Sequence, residues 1–236
     1  MKIMNSTLGK TTLGVLAAGA LAFSLAACST PAAEEPAESS SSASPESTEA
    51  PDPTAVIEDL GGVDTQVTLD QGFLDAITGL GLTPGVIGTA TLTDGVLAFP
   101  ITGGNVEYWD PDLGYRPYVQ GSVEHDGSGI SLSAGGTTVE LTDFRIDPGT
   151  SELFGTVSAN GTEVGQDILI FELNGSTLNP LQEGPNGEAI LQGTEVYVSE
   201  DAAGLLNDTF GTDAVVGGRE TGLLVGVAQI TAAPAE

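Results

Sequence analysis

From Val56 onward, the chain consists of short runs in which hydrophobic and polar residues alternate, separated by glycines. A period of two is typical of β-strands with one buried face, and residues 63–69 (VDTQVTL) show it most clearly. The pattern predicts about ten strands, at 63–69, 86–92, 96–101, 119–124, 130–133, 137–146, 153–158, 168–173, 189–198 and 223–231. Residues 168–171 (ILIF) are apolar on both faces, which predicts a central strand.

Several Asn-Gly and Asp-Gly dipeptides lie between or beside these runs, where residues that tolerate positive φ close hairpins. They are Asp94-Gly95, Asp126-Gly127, Asn160-Gly161, Asn174-Gly175 and Asn186-Gly187. Because hairpins join antiparallel neighbours, the sheet is predicted to be antiparallel. The alternation loses its phase between Leu141 and Phe144, which predicts a β-bulge near Asp143.

Two segments instead repeat hydrophobic residues at helical spacing. Asp70 is placed to cap a helix that starts at Gln71 and stops at Gly81, and Ser199 is placed to cap one that stops at Gly211. Both helices are short and amphipathic, so we expect them to cover open ends or edges of the sheet. The predicted fold is mainly β, an antiparallel β-sandwich or barrel with two short helices, in a single domain at residues 56–236.

The N-terminus has the pattern of a secretion signal. Lys2 and Lys10 precede an apolar stretch at 13–25 that is too short to span a bilayer, and Leu25-Ala26-Ala27-Cys28 closes it. These four residues resemble the lipobox of bacterial lipoproteins. The resemblance implies that residues 1–27 are removed, that Cys28 carries acyl chains such as palmitate, and that the protein is anchored to the outer face of the cell membrane. The alternative is an ordinary signal peptide followed by a cysteine by coincidence.

Residues 28–55 separate this predicted anchor from the domain. They are rich in Ser, Pro, Ala and Glu, lack periodicity and cannot bury enough apolar surface to fold. We expect a disordered tether with a typical end-to-end distance of about 30 Å, which holds the domain away from the membrane.

Charge narrows the classes of partner. The chain has 33 acidic residues, and after residue 27 its Lys and Arg side chains are limited to Arg116, Arg145 and Arg219. The resulting negative field repels nucleic acids and anionic lipid headgroups, so no nucleic-acid partner is expected and membrane contact is limited to the anchor. Partners that the charge leaves open are an envelope protein and a small molecule. Alternatively, the acidity has no role in binding and only keeps an extracellular domain soluble.

Within the domain, three groups of residues follow one another in a distinctive order. They are Phe73 and Ile77 in the first predicted helix, the segment 99–104 (FPITGG), and the segment 121–127 (GSVEHDG) with Ile130 and Leu132 behind it. This order resembles the HtaA-type haem-transport domain, over most of residues 63–230. The resemblance implies haem binding, with an iron-ligating tyrosine on the first helix. Here Ala76 stands at the position of that tyrosine, and His125 matches the family's histidine.

Residues 108–125 contain the candidates for ligand or partner binding. His125, the sole histidine, lies at a predicted strand-to-turn position, where it is either a haem ligand or ligand-orienting group, or an exposed turn residue. Tyr108, Trp109, Tyr115 and Tyr118 form an aromatic cluster in a predicted loop. Rigid rings suit a binding surface, for which Trp109 and Tyr115 would be exposed; alternatively, the loop covers one end of the sandwich with its rings packed inward.

Support for an enzymatic activity is weak, since the sequence has no Gly-x-Ser-x-Gly, phosphate-loop or HExxH motif. A pair of carboxylates acting as a glycoside hydrolase is the enzymatic alternative. No metal site is expected, because zinc lacks His and Cys ligands and the segment around Asp110 and Asp112 lacks the spacing of a calcium loop. The sequence thus predicts a lipid-anchored, non-catalytic β domain that binds a partner or ligand at the envelope, without a cofactor unless it binds haem.

Overall fold

The computed structural model describes residues 50–235, which form thirteen β-strands and two α-helices. The strands are β1 (Ala55–Ile57), β2 (Leu60–Leu69), β3 (Thr83–Gly88), β4 (Thr91–Thr93), β5 (Val96–Pro100), β6 (Gly103–Tyr108), β7 (Val119–Ala134), β8 (Thr137–Asp147), β9 (Glu152–Ala159), β10 (Thr162–Asn174), β11 (Gln182–Glu183), β12 (Ala189–Val198) and β13 (Leu224–Pro234). The helices are α1 (Gln71–Gly79) and α2 (Glu200–Phe210). The predicted signal peptide, Cys28 and residues 28–49 of the predicted tether lie outside the described residues.

All thirteen strands belong to one antiparallel sheet that curls into a half-barrel. Eleven of them follow the order β1-β6-β7-β8-β9-β10-β12-β13-β2-β5-β4, while β3 pairs with β7 and β11 pairs with β12. β10 lies in the interior of this order, as its apolar residues 168–171 predict, and Ile170 is fully buried. The prediction of a mainly β, antiparallel fold with two short helices is confirmed.

The dipeptide Asp126-Gly127 is the exception among the predicted turns, because it lies inside the long strand β7. Residues 119–124 of β7 pair with β6, and residues 128–133 pair with β3. The register of β7 with β8 slips between His125 and Gly129. Gly127, with a positive φ of 71°, therefore lies in a bulge at which the strand changes partner. The prediction of a hairpin here is wrong. Asp94-Gly95 and Asn160-Gly161 do join paired strands.

The bulge predicted near Asp143 is confirmed. Asp143 has a φ of 53°, and the register of β8 with β9 shifts between Thr142 and Arg145. Because Asp143 lies opposite the irregular part of β7, both strands bend at the same level of the sheet.

Local capping sets the ends of both helices as the sequence predicts. The Asp70 carboxylate accepts a hydrogen bond from the Gly72 amide at 2.7 Å, and the Ser199 hydroxyl accepts one from the Ala202 amide at 3.0 Å. Helix α2 ends at Gly211, which has a φ of 66°. In the part of the chain that the structure describes, neither helix has the length and hydropathy needed to cross a membrane.

Candidate functional site

A cavity of about 620 Å³ lies on the concave side of the half-barrel. Alternate residues of successive strands form its wall, such as Thr65 and Val67 of β2 or Leu97 and Phe99 of β5. This spacing arises because every second side chain of a strand points to the same face of the sheet. The volume falls in the range of sites that bind small molecules.

Three phenylalanine rings define the deep part of this cavity wall. Phe99 and Phe144 meet edge to face with ring centroids 5.3 Å apart, and Phe144 and Phe171 are 6.2 Å apart. All three line the cavity together with many aliphatic side chains. The wall is therefore mostly apolar.

Charged side chains are distributed unevenly around the cavity. None of the described residues that line it is Asp or Glu, although the chain has 33 of these residues. Two of the three arginines, Arg116 and Arg219, do line it, and both are exposed. The cavity therefore reaches solvent at positions that carry positive charge.

His125 lies in the wall of the cavity and is 1% exposed. Its Nδ1 donates to the carbonyl oxygen of Phe144 at 3.1 Å, so Nε2 accepts from the hydroxyl of Thr65 at 2.8 Å. Burial lowers the pKa of His125 from 6.5 to about 4, against the opposing effects of the Phe144 hydrogen bond and of Asp126 and Asp64. The imidazole is neutral at physiological pH, and the interpretation of His125 as an exposed turn residue is wrong.

The aromatic residues predicted to form one cluster separate into two groups. Tyr108 and Tyr118 line the cavity, and the guanidinium of Arg116 lies 4.4 Å from the centroid of the Tyr118 ring. Trp109 and Tyr115 lie outside the lining and pack against each other, with ring centroids 5.0 Å apart. The structure thus brings Tyr108, Tyr118 and His125 to one cavity.

The expectation that Trp109 is exposed is wrong, because its side chain is only 4% exposed. Its indole Nε1 donates to the carbonyl oxygen of Pro51 at 2.8 Å. Thr54 binds the backbone on both sides of Trp109: its amide donates to the Tyr108 carbonyl at 2.7 Å, and its hydroxyl accepts from the Asp110 amide at 3.0 Å. Pro51 and Thr54, which the sequence places at the end of the tether, therefore bind the indole of Trp109 and the backbone on either side of it.

The iron-ligating tyrosine that the HtaA resemblance implies on the first helix is absent, although two other tyrosines, Tyr108 and Tyr118, line the cavity together with His125. Ala76, at the position of the expected tyrosine, lies on α1, and no residue of that helix lines the cavity. Both nitrogens of His125 already have hydrogen-bond partners. Within residues 50–235, no group of three or more His, Cys, Asp or Glu side chains is placed to hold a metal ion.

A second, smaller cavity of about 270 Å³ collects carboxylates instead. Glu124, Asp126, Asp143 and Asp167 line it together with Arg145. Arg145 forms an ion pair with Asp167 at 2.6 Å. Of the two cavities, only this one offers the paired carboxylates that a glycoside hydrolase uses, because the described lining of the large cavity contains none.

Sequence reasoning placed Arg116 within the candidate region 108–125 but missed most of the cavity wall, including Thr65, Phe99, Phe144 and Arg219. Alternation marked Thr65 and Phe99 as members of strands, but not as neighbours of His125. The scarcity of arginine was a signal for the two cationic residues, since a rare charge in an acidic chain is a candidate for a specific contact.

No family model matches the chain, and no curated protein matches it. Among solved structures, the chain is similar to the C-terminal domain of HtaA from Corynebacterium glutamicum, with a TM-score of 0.50 and 16% sequence identity. The similarity covers 75% of this chain and 97% of that chain. At this identity it shows the fold alone, and it agrees in fold with the resemblance found in residues 63–230.

Proposed function

We propose that the described domain is a non-catalytic binding module that holds a small, mostly apolar ligand in the cavity of the half-barrel. The observation that supports this function is the cavity itself, with its volume of about 620 Å³ and its apolar wall. Protein interiors are close-packed and contain few voids larger than a water molecule. A cavity of this size that is lined by core residues and opens to solvent beside Arg116 and Arg219 therefore favours a bound ligand over a purely structural role.

The proposed place of action is the outer face of the bacterial cell membrane. It rests on the lipobox-like residues Leu25–Cys28 and on the composition of residues 28–55. The burial of Trp109 favours a ligand in the cavity over an envelope protein that docks on the aromatic loop, because the largest ring of that loop is covered by residues of its own chain.

Binding of an uncharged fluorescent dye, N-phenyl-naphthylamine, tests the cavity without any contribution from charge. The protein is produced by secretion of the full chain with Cys28→Ser, which prevents lipid attachment. Ala228 lines the cavity, so Ala228→Phe places an aromatic ring in it and reduces its volume. Ala98 lies on β5 between the lining residues Leu97 and Phe99 and faces the other way, so Ala98→Phe is the matched control.

We expect a saturable rise in dye fluorescence that Ala228→Phe weakens and Ala98→Phe retains. No saturable binding by the parent protein, or equal binding by both variants, would overturn the proposal. Far-UV and near-UV circular dichroism of both variants establishes that a loss of binding is not a loss of fold.

Haem binding or relay of the HtaA type is a second candidate, because the similarity to an HtaA domain favours it. Ala76 and the fully bonded imidazole of His125 oppose it. A haemin titration followed by Soret absorbance, with His125→Ala in parallel, distinguishes the two. A saturable band that weakens in the variant supports haem binding, and a featureless spectrum excludes it.

A further inference from the structure

We infer that the ligand is a long-chain monocarboxylate, whose acyl chain lies in the apolar cavity while its carboxylate binds the guanidinium of Arg116 at the rim. This inference rests on the proposed function, since it names the class of ligand that the same cavity would take.

Arg116 differs from the other two arginines in its partners. Arg145 pairs with Asp167 at 2.6 Å, and Arg219 lies 3.9 Å from a carboxylate oxygen of Glu172. Within residues 50–235, no carboxylate lies within 4.0 Å of the Arg116 side-chain nitrogens. In a chain this acidic, a guanidinium without a carboxylate partner at a cavity rim is available to an anion from outside.

Neighbouring residues hold the guanidinium of Arg116 at this rim. It lies 4.4 Å from the centroid of the Tyr118 ring, and Pro117 and Tyr118 both line the cavity beside it. Since the described lining residues include no Asp or Glu, an incoming carboxylate meets no like charge in the wall. The positive rim and the absence of acids together select an anionic end group.

The interior of the cavity selects the body of the ligand. His125 and Thr65 satisfy each other, and His125 is neutral because it is buried. Among the side chains that the structure describes, the buried polar atom without a hydrogen-bond partner is Ser122 Oγ, which is not part of the lining. The wall around the three phenylalanine rings is therefore apolar apart from the paired His125 and Thr65, and a hydrocarbon chain is the body that this part of the cavity matches.

Displacement of N-phenyl-naphthylamine by dodecanoate and by dodecanol tests this inference, because the two compounds share a chain and differ in charge. The protein is the full chain with Cys28→Ser, at a pH at which the carboxylate is ionised. Arg116→Gln removes the proposed contact, and Arg145→Gln is the matched control, because Arg145 is an arginine of the same sheet that lies outside the cavity.

We expect dodecanoate to displace the dye from the parent protein at lower concentration than dodecanol. Arg116→Gln should weaken dodecanoate about fivefold, as for a partly exposed ion pair, and leave dodecanol unchanged. Arg145→Gln should leave both unchanged.

The failures of the two proposals are distinguishable. A parent protein that does not bind the dye at all overturns the proposed function and this inference with it. Dye binding with equal displacement by acid and alcohol, or with an Arg116→Gln effect no larger than that of Arg145→Gln, overturns the inference alone.

Discussion

The single histidine of the chain makes the interior of the half-barrel accessible to a pH experiment. His125 is buried against Phe144 and Thr65, and its pKa is lowered from 6.5 to about 4, mainly by burial. An unfolded chain binds a proton at this residue below pH 6.5, whereas the folded chain binds it only near pH 4. Folding is therefore opposed by protonation, and stability falls as the pH drops through this window.

The two pKa values set the size of the effect. Between pH 7 and pH 5, the unfolded histidine becomes almost fully protonated while the folded one stays neutral, which lowers the free energy of unfolding by about 2 kcal/mol. The negatively charged carboxylates act in the opposite direction, because their protonation relieves repulsion in the folded state. Comparison of the parent protein with His125→Asn cancels this second effect, since both chains carry the same carboxylates.

Two measurements test the reasoning. Urea unfolding at both pH values should show the loss of about 2 kcal/mol in the parent relative to His125→Asn. Proton NMR of the imidazole, in protein without a histidine tag, has one histidine signal to follow and needs no variant. A histidine that titrates reversibly between pH 6 and pH 7 in the folded protein would refute the buried, neutral imidazole and its hydrogen bonds.

Three further predictions each concern a single residue. Trp109→Phe should cost about 1 kcal/mol through the lost hydrogen bond to Pro51, and Trp109→Ala about 3–5 kcal/mol through lost packing, both measured by urea unfolding. Near-parent stability of the alanine variant would show that the ring is exposed after all. Ser199→Ala should lower the free energy of unfolding by about 2 kcal/mol, because this buried hydroxyl both caps α2 and donates to the carbonyl of Leu169. A decrease of less than a few tenths of a kcal/mol would contradict these two roles. Cys28→Ser should move the protein from the membrane fraction to the soluble fraction in cell fractionation, and membrane retention of variant protein that has lost residues 1–27 would contradict lipid anchoring.

Elements with local causes were predictable from the sequence. The two helices begin directly after their caps Asp70 and Ser199, because a side-chain cap acts over two or three residues, and β12 has the predicted bounds because its alternation is regular. The strands β1, β6 and β11 were not predicted, and Tyr108, assigned to a loop from the sequence, ends β6. β1 has only three residues, and it is held by pairing with β6 and by contacts around Trp109, more than fifty residues away. Such partners leave no signal in a sequence window.

The same limit applies to the cavity. Its wall draws alternate residues from strands that are spread over most of the domain, so Thr65 and His125 are adjacent although 60 residues separate them. Sequence reasoning found His125 by its rarity and by family resemblance, but it placed the side chain at a turn. The bulge that keeps β7 continuous through Asp126-Gly127 depends on two different partner strands, which a single strand cannot reveal.

The alternation along β7 connects the acidity of the chain to the cavity. Glu124 and Asp126 flank His125, yet they line the outer, carboxylate-rich cavity, while His125 lines the inner one. A shift of this segment by one residue would exchange the two faces and place carboxylates inside the half-barrel. Strand register therefore keeps negative charge on the convex face, where it favours solubility, and off the concave face, where it would repel an anionic ligand. The high net negative charge and a preference for an acidic ligand are thus compatible, because each concerns a different face of the same sheet.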